Sequence, residues 1–425
     1  MWRTRRRPPT RYTRGNRGAG QGIADQYLDE SSRTGLRVLL GGGRRWFLPQ
    51  KDAAGANVFG SSRGSSNDYA ALPADLQTAW GVPAGAIDPN RDLISDFEGA
   101  GFKYVDSATS LESAFGGGPT PRKLLGLFGY GNMNVAADKL AKRRGEPTPA
   151  GSYVVDDYYA PDQPMLDDMT EAALKVLGRG EAGFVLMVEG AHIDKQSHLM
   201  DPDRAIGEVI EFDNAVAVAR RFARRRGDTL VLVLADHECS GFSLIGALTG
   251  GISNLQSLTP DNGVLDPALQ PGRQKVVGLY EGAGFPRYTL DASGYPLTYD
   301  VDGKLLVGFG GSADRYESWL SKPLPVIDSL LSNDIKTELD GKTYVREPYL
   351  RPESGFGFFL RGQAAGRTNA VHTAADIPVS AYTRGDGWRE FVGVQTNTDV
   401  FFKIARLVLG GGSPRWLDER ERGDR

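Results

Sequence analysis

Apolar runs, apolar stripes and glycine- or proline-rich breaks alternate along the chain, and the two apolar spacings mark different elements. Residues 21–32 predict a helix, and residues 36–40 a buried strand closed by Gly41, Gly42 and Gly43. Residues 93–99 predict a short helix. Residues 124–130 predict the next strand. In residues 164–177, Met165, Met169, Ala172, Leu174 and Leu177 fall broadly on one side of a helix that Gly178 ends. Residues 184–188 and 230–235 are short continuous apolar runs and read as buried strands. Between them, residues 201–226 carry the strongest helical signal. Asp201 is a natural N-cap, with Pro202 at the first helical position. Ala205, Val209, Phe212, Val216, Ala219 and Ala223 line one face of it. Arg224, Arg225 and Arg226 suit the negative end of the helix dipole, and Gly227 stops it. A strand at 377–382 and a helix over 397–409 close the pattern.

The intervals are polar. Residues 50–92 read as a surface loop, and residues 140–163 as charged, proline-rich and exposed. Residues 238–371 alternate short β-like pieces (275–280, 287–290, 304–307) with Gly, Pro and Asp turns. Composition is that of an ordinary globular chain of 425 residues, 40 % hydrophobic and 24 % charged, with 55 glycines and 24 prolines among its loops. A formal net charge of −3 argues against nucleic acid as the main partner. No run of 18 apolar residues is present to span a membrane. Residues 1–20 are rich in Arg and Gly and lack the apolar stretch of a signal peptide, so they read as a basic, poorly ordered tail. The single cysteine, Cys239, allows no internal disulfide and reads as a small buried side chain rather than a ligand.

The chemistry concentrates where strands end. Glu189 follows the 184–188 run, and Gly190 lets the chain turn. Asp194 and His198 come next at i and i+4, so a helix starting here puts both on one face. A carboxylate and an imidazole on one face, beside a second carboxylate, suit a divalent metal such as zinc. The 230–235 run leads straight into Asp236-His237, at the strand end where open α/β sheets place their sites. Histidine is sparse: His192, His198, His237 and His372 are all the chain has.

These stretches, in this order, resemble the metal-site signature of the alkaline phosphatase family: Val188-Glu189-Gly190-Ala191, Ile193-Asp194-Lys195-Gln196 with His198, Ala235-Asp236-His237, and His372-Thr373. Residues 208–216 resemble the family's long helix after the first site. Residues 23–26, 39–45 and 392–399 match further segments, so the likeness runs from about residue 20 to the C-terminus, with a poorly matched insert. The resemblance implies a three-layer α/β/α sandwich with a mostly parallel central sheet. Its domain would comprise residues 21–237 together with 372–425, and residues 238–371 would form a β-rich insertion covering one rim of the site. It implies two zinc ions and one magnesium ion. Asp194, His198 and His372 would hold one zinc, Asp236 and His237 would contribute to the second, and Glu189 would help hold the magnesium. Lys195 would stand behind the first ligand as a cation near the phosphate, and with Gln196 would partly orient the ligands.

The departures lie at the amino end. The family's first strand carries a bridging Asp, followed by an Asp-Ser-Ala motif whose serine is the nucleophile. Only 38 residues precede Leu39, and neither feature is among them, so the chain reads as lacking that portion. Asp106-Ser107-Ala108 copies the nucleophile motif but follows the Gly41-Gly42-Gly43 segment, so Ser107 reads as a decoy that caps a helix. Arg17 aligns with the family's phosphate-binding arginine, one residue out of spacing, with Arg7 where the family has a magnesium-binding threonine. The implied function is metal-dependent hydrolysis of phosphate monoesters, weak or absent in the 425 residues alone. A phosphodiesterase or sulfatase of the same superfamily and a non-catalytic zinc-binding remnant are the alternatives. The family is usually exported, which implies a periplasmic or secreted full-length protein, and a homodimer stays open.

Overall fold

The computed structural model describes residues 22–63, 88–145, 160–180, 182–199, 201–248, 277–278, 289–297, 305–310, 336–337, 343–344 and 370–408. They gather into two compact units that divide between Glu189 and Gly190.

The first unit is built on a parallel sheet of β1 (Val38–Gly41), β2 (Lys103–Val105) and β3 (Leu124–Leu127), in the order β1-β3-β2. β3 lies between its two partners, and all four of its residues are buried, as its unbroken apolar sequence predicts. Alternate side chains serve opposite faces. Val38, Leu40, Val105 and Leu124 pack with Leu111 of α4 (Ala108–Ser113) and with Met169, Ala172 and Val176 of α6 (Leu166–Leu177). Leu39, Tyr104, Leu125 and Leu127 pack with Ala24 and Leu28 of α1 (Ile23–Asp29) and with Leu93 and Phe97 of α3 (Leu93–Gly99). Helix, sheet and helix thus form three layers, the expected α/β/α arrangement. The expected 21–32 helix is broken at Glu30 into α1 and a short α2 (Ser31–Thr34). α5 (Ala136–Arg143) is a further helix of this unit.

Glycine is needed at two close approaches, one to backbone and one to core side chains. A Cβ on Gly42 would lie 2.2 Å from the Gly131 carbonyl oxygen, and one on Gly126 would meet the packed Phe128 and Leu40 side chains at 2.4 and 2.7 Å. A buried ion pair braces the same unit. Arg63 reaches both Asp25 oxygens at 2.9 and 3.2 Å and also donates to the carbonyls of Trp46 and Asp88.

One expectation fails here. Residues 184–188 join no ladder among the described residues, and Val185 and Met187 are exposed. Alternate residues are covered, but an apolar run becomes a sheet strand only where a partner satisfies its amides.

The second unit carries α7 (Ala191–His198) and α8 (Pro202–Arg226). α8 has the predicted caps: the Asp201 carboxylate accepts from the Arg204 amide at 3.1 Å, and Gly227 takes the left-handed conformation. Its buried face differs from the predicted one. Val209 is half exposed, whereas Glu208 and Glu211 are buried. β4 (Val231–Val233) is shorter and less buried than the 230–235 run suggests, and pairs antiparallel with β12 (Ser380–Tyr382). β5 (Glu238–Cys239) pairs antiparallel with β11 (His372–Thr373). β6 (Phe242–Leu248) lies between β7 (Val277–Gly278) and β8 (Leu305–Phe309), and β9 (Lys336–Thr337) pairs with β10 (Thr343–Tyr344). α9 (Asn397–Val408) ends the described chain.

Candidate metal centre

Gly190 starts α7: its carbonyl accepts the Ile193 amide at 3.1 Å, and a Cβ there would meet Ile193 and Phe212 at 3.0 and 3.1 Å. One helical turn then carries Asp194 and His198 on the same side, with the His198 Nε2 3.4 Å from an Asp194 oxygen. The residues before β11 fix the imidazole. His198 Nδ1 lies 2.7 Å from the Ala370 carbonyl oxygen, and the Ala370 amide donates back to the His198 carbonyl at 2.8 Å. A carbonyl can only accept, so Nδ1 carries the hydrogen, and Nε2 is the ring nitrogen left to face a cation beside Asp194.

His372 completes the convergence. Its Nε2 lies 3.0 Å from Asp194 Oδ1 and 2.9 Å from His198 Nε2. Two atoms each bonded to a tetrahedral zinc at about 2.0–2.1 Å lie about 3.3 Å apart, close to these spacings. The Asp194, His198 and His372 side chains keep 38 %, 30 % and 44 % of their surface exposed, so the cluster is open to solvent. His237 stacks on the His372 ring with centroids 3.5 Å apart. The His237 Nδ1 is buried and has no hydrogen-bond partner among the described atoms, while Nε2 lies 3.3 Å from Asp236. Two converging imidazole nitrogens and a carboxylate oxygen make a donor set that fits a divalent cation, and the unpartnered His237 nitrogen lies beside it.

The other predicted residues fall as follows. Asp236 is almost fully exposed, with one oxygen accepting from the His237 amide at 3.2 Å. Lys195 lies half-buried on α7, next to Asp194. Gln196, read as an orienting partner, is fully buried, and its amide bonds to none of the described ligands. Glu189 is exposed at the end of the first unit. Ser107 is the N-cap of α4, its hydroxyl accepting from the Ser110 amide at 3.2 Å. Arg17 lies outside the described residues.

Cys239 departs from the reading as a small buried side chain. It is partly exposed, and its Sγ stands with the ligand atoms of Asp194, His198 and His372, all within 4.8 Å of one another. The thiol donates to the Asp194 carbonyl oxygen at 3.5 Å. Burial pushes its pKa well above the ordinary thiol value, and Asp194 and Glu238 push the same way. No local sequence signal marks it, because its place depends on the pairing of β5 with β11 far down the chain.

Among similar proteins, the alkaline phosphatase of Escherichia coli (strain K12) is 39 % identical over 149 residues, covering 35 % of this chain and 31 % of that protein. Alkaline phosphatase 3 of Bacillus subtilis (strain 168) is 27 % identical over 388 residues, covering 91 % of this chain and 61 % of the relative. The crystal structure of Thermus thermophilus alkaline phosphatase superposes with a TM-score of 0.36 at 27 % identity, over 53 % of this chain and 35 % of that one. The chain therefore spans from 31 % to 61 % of the length of these curated relatives. The alkaline phosphatase family model matches residues 9–409, nearly the whole sequence, and the chain belongs to the alkaline phosphatase family.

Proposed function

We propose that the protein hydrolyses phosphate monoesters with the help of bound divalent cations. The observation that carries the reading is the convergence of Asp194, His198 and His372, drawn from α7 and β11, on one point. Asp194, His198 and His372 hold one zinc, Asp236 and His237 contribute to a second, and Glu189 helps hold a magnesium. When bound, such cations stabilise the attacking and leaving oxygens of a phosphoryl transfer. The chain's own residues fix the geometry: Ala370 orients His198, β5 holds β11 in register, and the open side of the cluster admits substrate. Lys195 supplies a positive charge toward the phosphate, and Arg17 a guanidinium that can fork onto two of its oxygens. The nucleophile is left unassigned, since Ser107 uses its hydroxyl as a helix cap. Weak turnover, or none, is therefore expected. A periplasmic or exported location, usual for the family, goes with this reading.

The test is hydrolysis of a chromogenic phosphate monoester with zinc and magnesium added, bound zinc being assayed in parallel. Zinc binding lost in Asp194→Ala supports the reading, as does any turnover abolished by chelation. A folded chain that takes up no zinc sinks it. Faster turnover of a phosphate diester or a sulfate ester would move the chain to a sister activity of the superfamily. One observation favours a second reading, a non-catalytic zinc site: Cys239 brings a fourth donor that can close the coordination sphere. Tight zinc binding with no turnover of any of these esters would select it.

A further inference from the structure

The position of the Cys239 thiol follows from strand pairing. β5 and β11 run antiparallel with Cys239 directly opposite His372. Residues opposite each other in such a pair send their side chains to the same face, with Cβ atoms about 4.5–5.5 Å apart. His372 turns its Nε2 toward Asp194 and His198, and the thiol on that face comes within 4.8 Å of the same atoms. The backbone on either side is held in place. Ser240 is fully buried at φ 68° and donates its amide to the Val371 carbonyl at 2.9 Å. The Glu238 carboxylate accepts from the amides of Gly241 and Phe242 at 3.0 and 3.1 Å, and from the Thr373 hydroxyl. A non-glycine residue in the left-handed region persists only where its surroundings hold it there. The turn after Cys239 is thus over-determined.

We propose that Cys239 is a fourth ligand of the cation held by Asp194, His198 and His372. The inference rests on reading those three residues as a cation site. The donor set becomes two nitrogens, one oxygen and one sulfur, which selects zinc, cadmium or cobalt over magnesium or calcium. As the sulfur–metal bond forms, the thiol proton leaves to solvent, and no oxidant or reductant is involved. Four protein donors fill a tetrahedral sphere, the arrangement of structural zinc sites. A phosphate oxygen must then displace the thiolate or raise the coordination number. Cys239 therefore governs how open the site is to substrate as well as which ion it takes.

The chain has one cysteine, so any thiolate-to-metal charge-transfer band arises from Cys239. Cobalt(II) is titrated into the full 425-residue chain. The expected result is a near-ultraviolet charge-transfer band rising with the visible bands of tetrahedral cobalt. In Cys239→Ser the first band disappears while the visible bands remain, and cadmium affinity falls roughly tenfold or more. Visible cobalt bands in the unaltered chain without the charge-transfer band overturn the proposal. Failure of the underlying reading has a different signature: no cobalt binds, or binding survives His372→Ala, and the proposal then falls with it. Cadmium–thiolate absorption in the unaltered chain repeats the test without a variant, and its absence with cadmium bound is a second way to overturn it.

Discussion

Single atoms decide the chemistry of this site. His198 presents Nε2 to Asp194 and His372 because its other nitrogen is tied to a carbonyl. His198→Ala should lower zinc affinity beyond the roughly 10–100-fold typical of losing an outer partner, read by competition with a chromogenic chelator. Gly42 is a second such point, since any side chain there meets the Gly131 carbonyl. Gly42→Ala should destabilise the first unit by about 1–3 kcal/mol or more, seen as a lower denaturant midpoint. An unchanged midpoint would mean that the turn relaxes freely. Asp194 and His198 were legible from the sequence because the helical period alone brings i and i+4 together. Cys239 was not: its neighbour His372 lies far down the chain, and no local pattern announces the pairing of β5 with β11. The inner face of α8 was misread at Val209 for a related reason. Hydrophobicity favours a valine inside, but the helix buries Glu208 and Glu211, which have polar partners supplied by the fold.

Elements follow their end signals more faithfully than their apolar content. α8 begins at Asp201 and stops at Gly227, as its caps dictate. Asp201→Ala should cost about 1 kcal/mol of stability, measured by denaturant unfolding. α9 has its own cap, in which the Thr396 amide donates to the Asp399 carboxylate at 3.0 Å and the Asp399 amide to the Thr396 hydroxyl at 3.3 Å. The backbone hydrogen bond from Thr396 holds the Asp399 carboxyl below the usual carboxylate range, and the Thr396 side chain adds to this. A depressed folded-state value means that the cap is intact above the ordinary Asp range and weakens as pH falls through the lowered value. Amide exchange at Thr396, whose N–H donates to that carboxylate, should therefore become less protected under strongly acid conditions and stay level above them. Exchange independent of pH, after correction for its intrinsic rate, would remove the carboxylate from the cap. The 184–188 run shows where content misleads: it has the composition of a strand, but no ladder forms on it among the described residues.

At the scale of the whole molecule, the order of motifs along the chain carried the family, and β3 with its two flanking clusters carries the α/β/α layering. That core also encloses a charge pair. Arg63→Met should destabilise the first unit by about 3–5 kcal/mol, toward the lower end because Arg91 still reaches Asp25. Thermal unfolding of the variant measures it, and a neutral effect would show that the pair adds nothing over an apolar replacement. The metal cluster has a further consequence at this scale. Asp194 and His372 are 178 residues apart in sequence. A cation gripping both is a staple across most of the second unit, and it withholds from the unfolded chain the freedom of a very long loop. On chain-entropy reasoning such a closure is worth about 5 kcal/mol. The melting temperature should therefore climb with the logarithm of free zinc, even if not one molecule of phosphate is ever released.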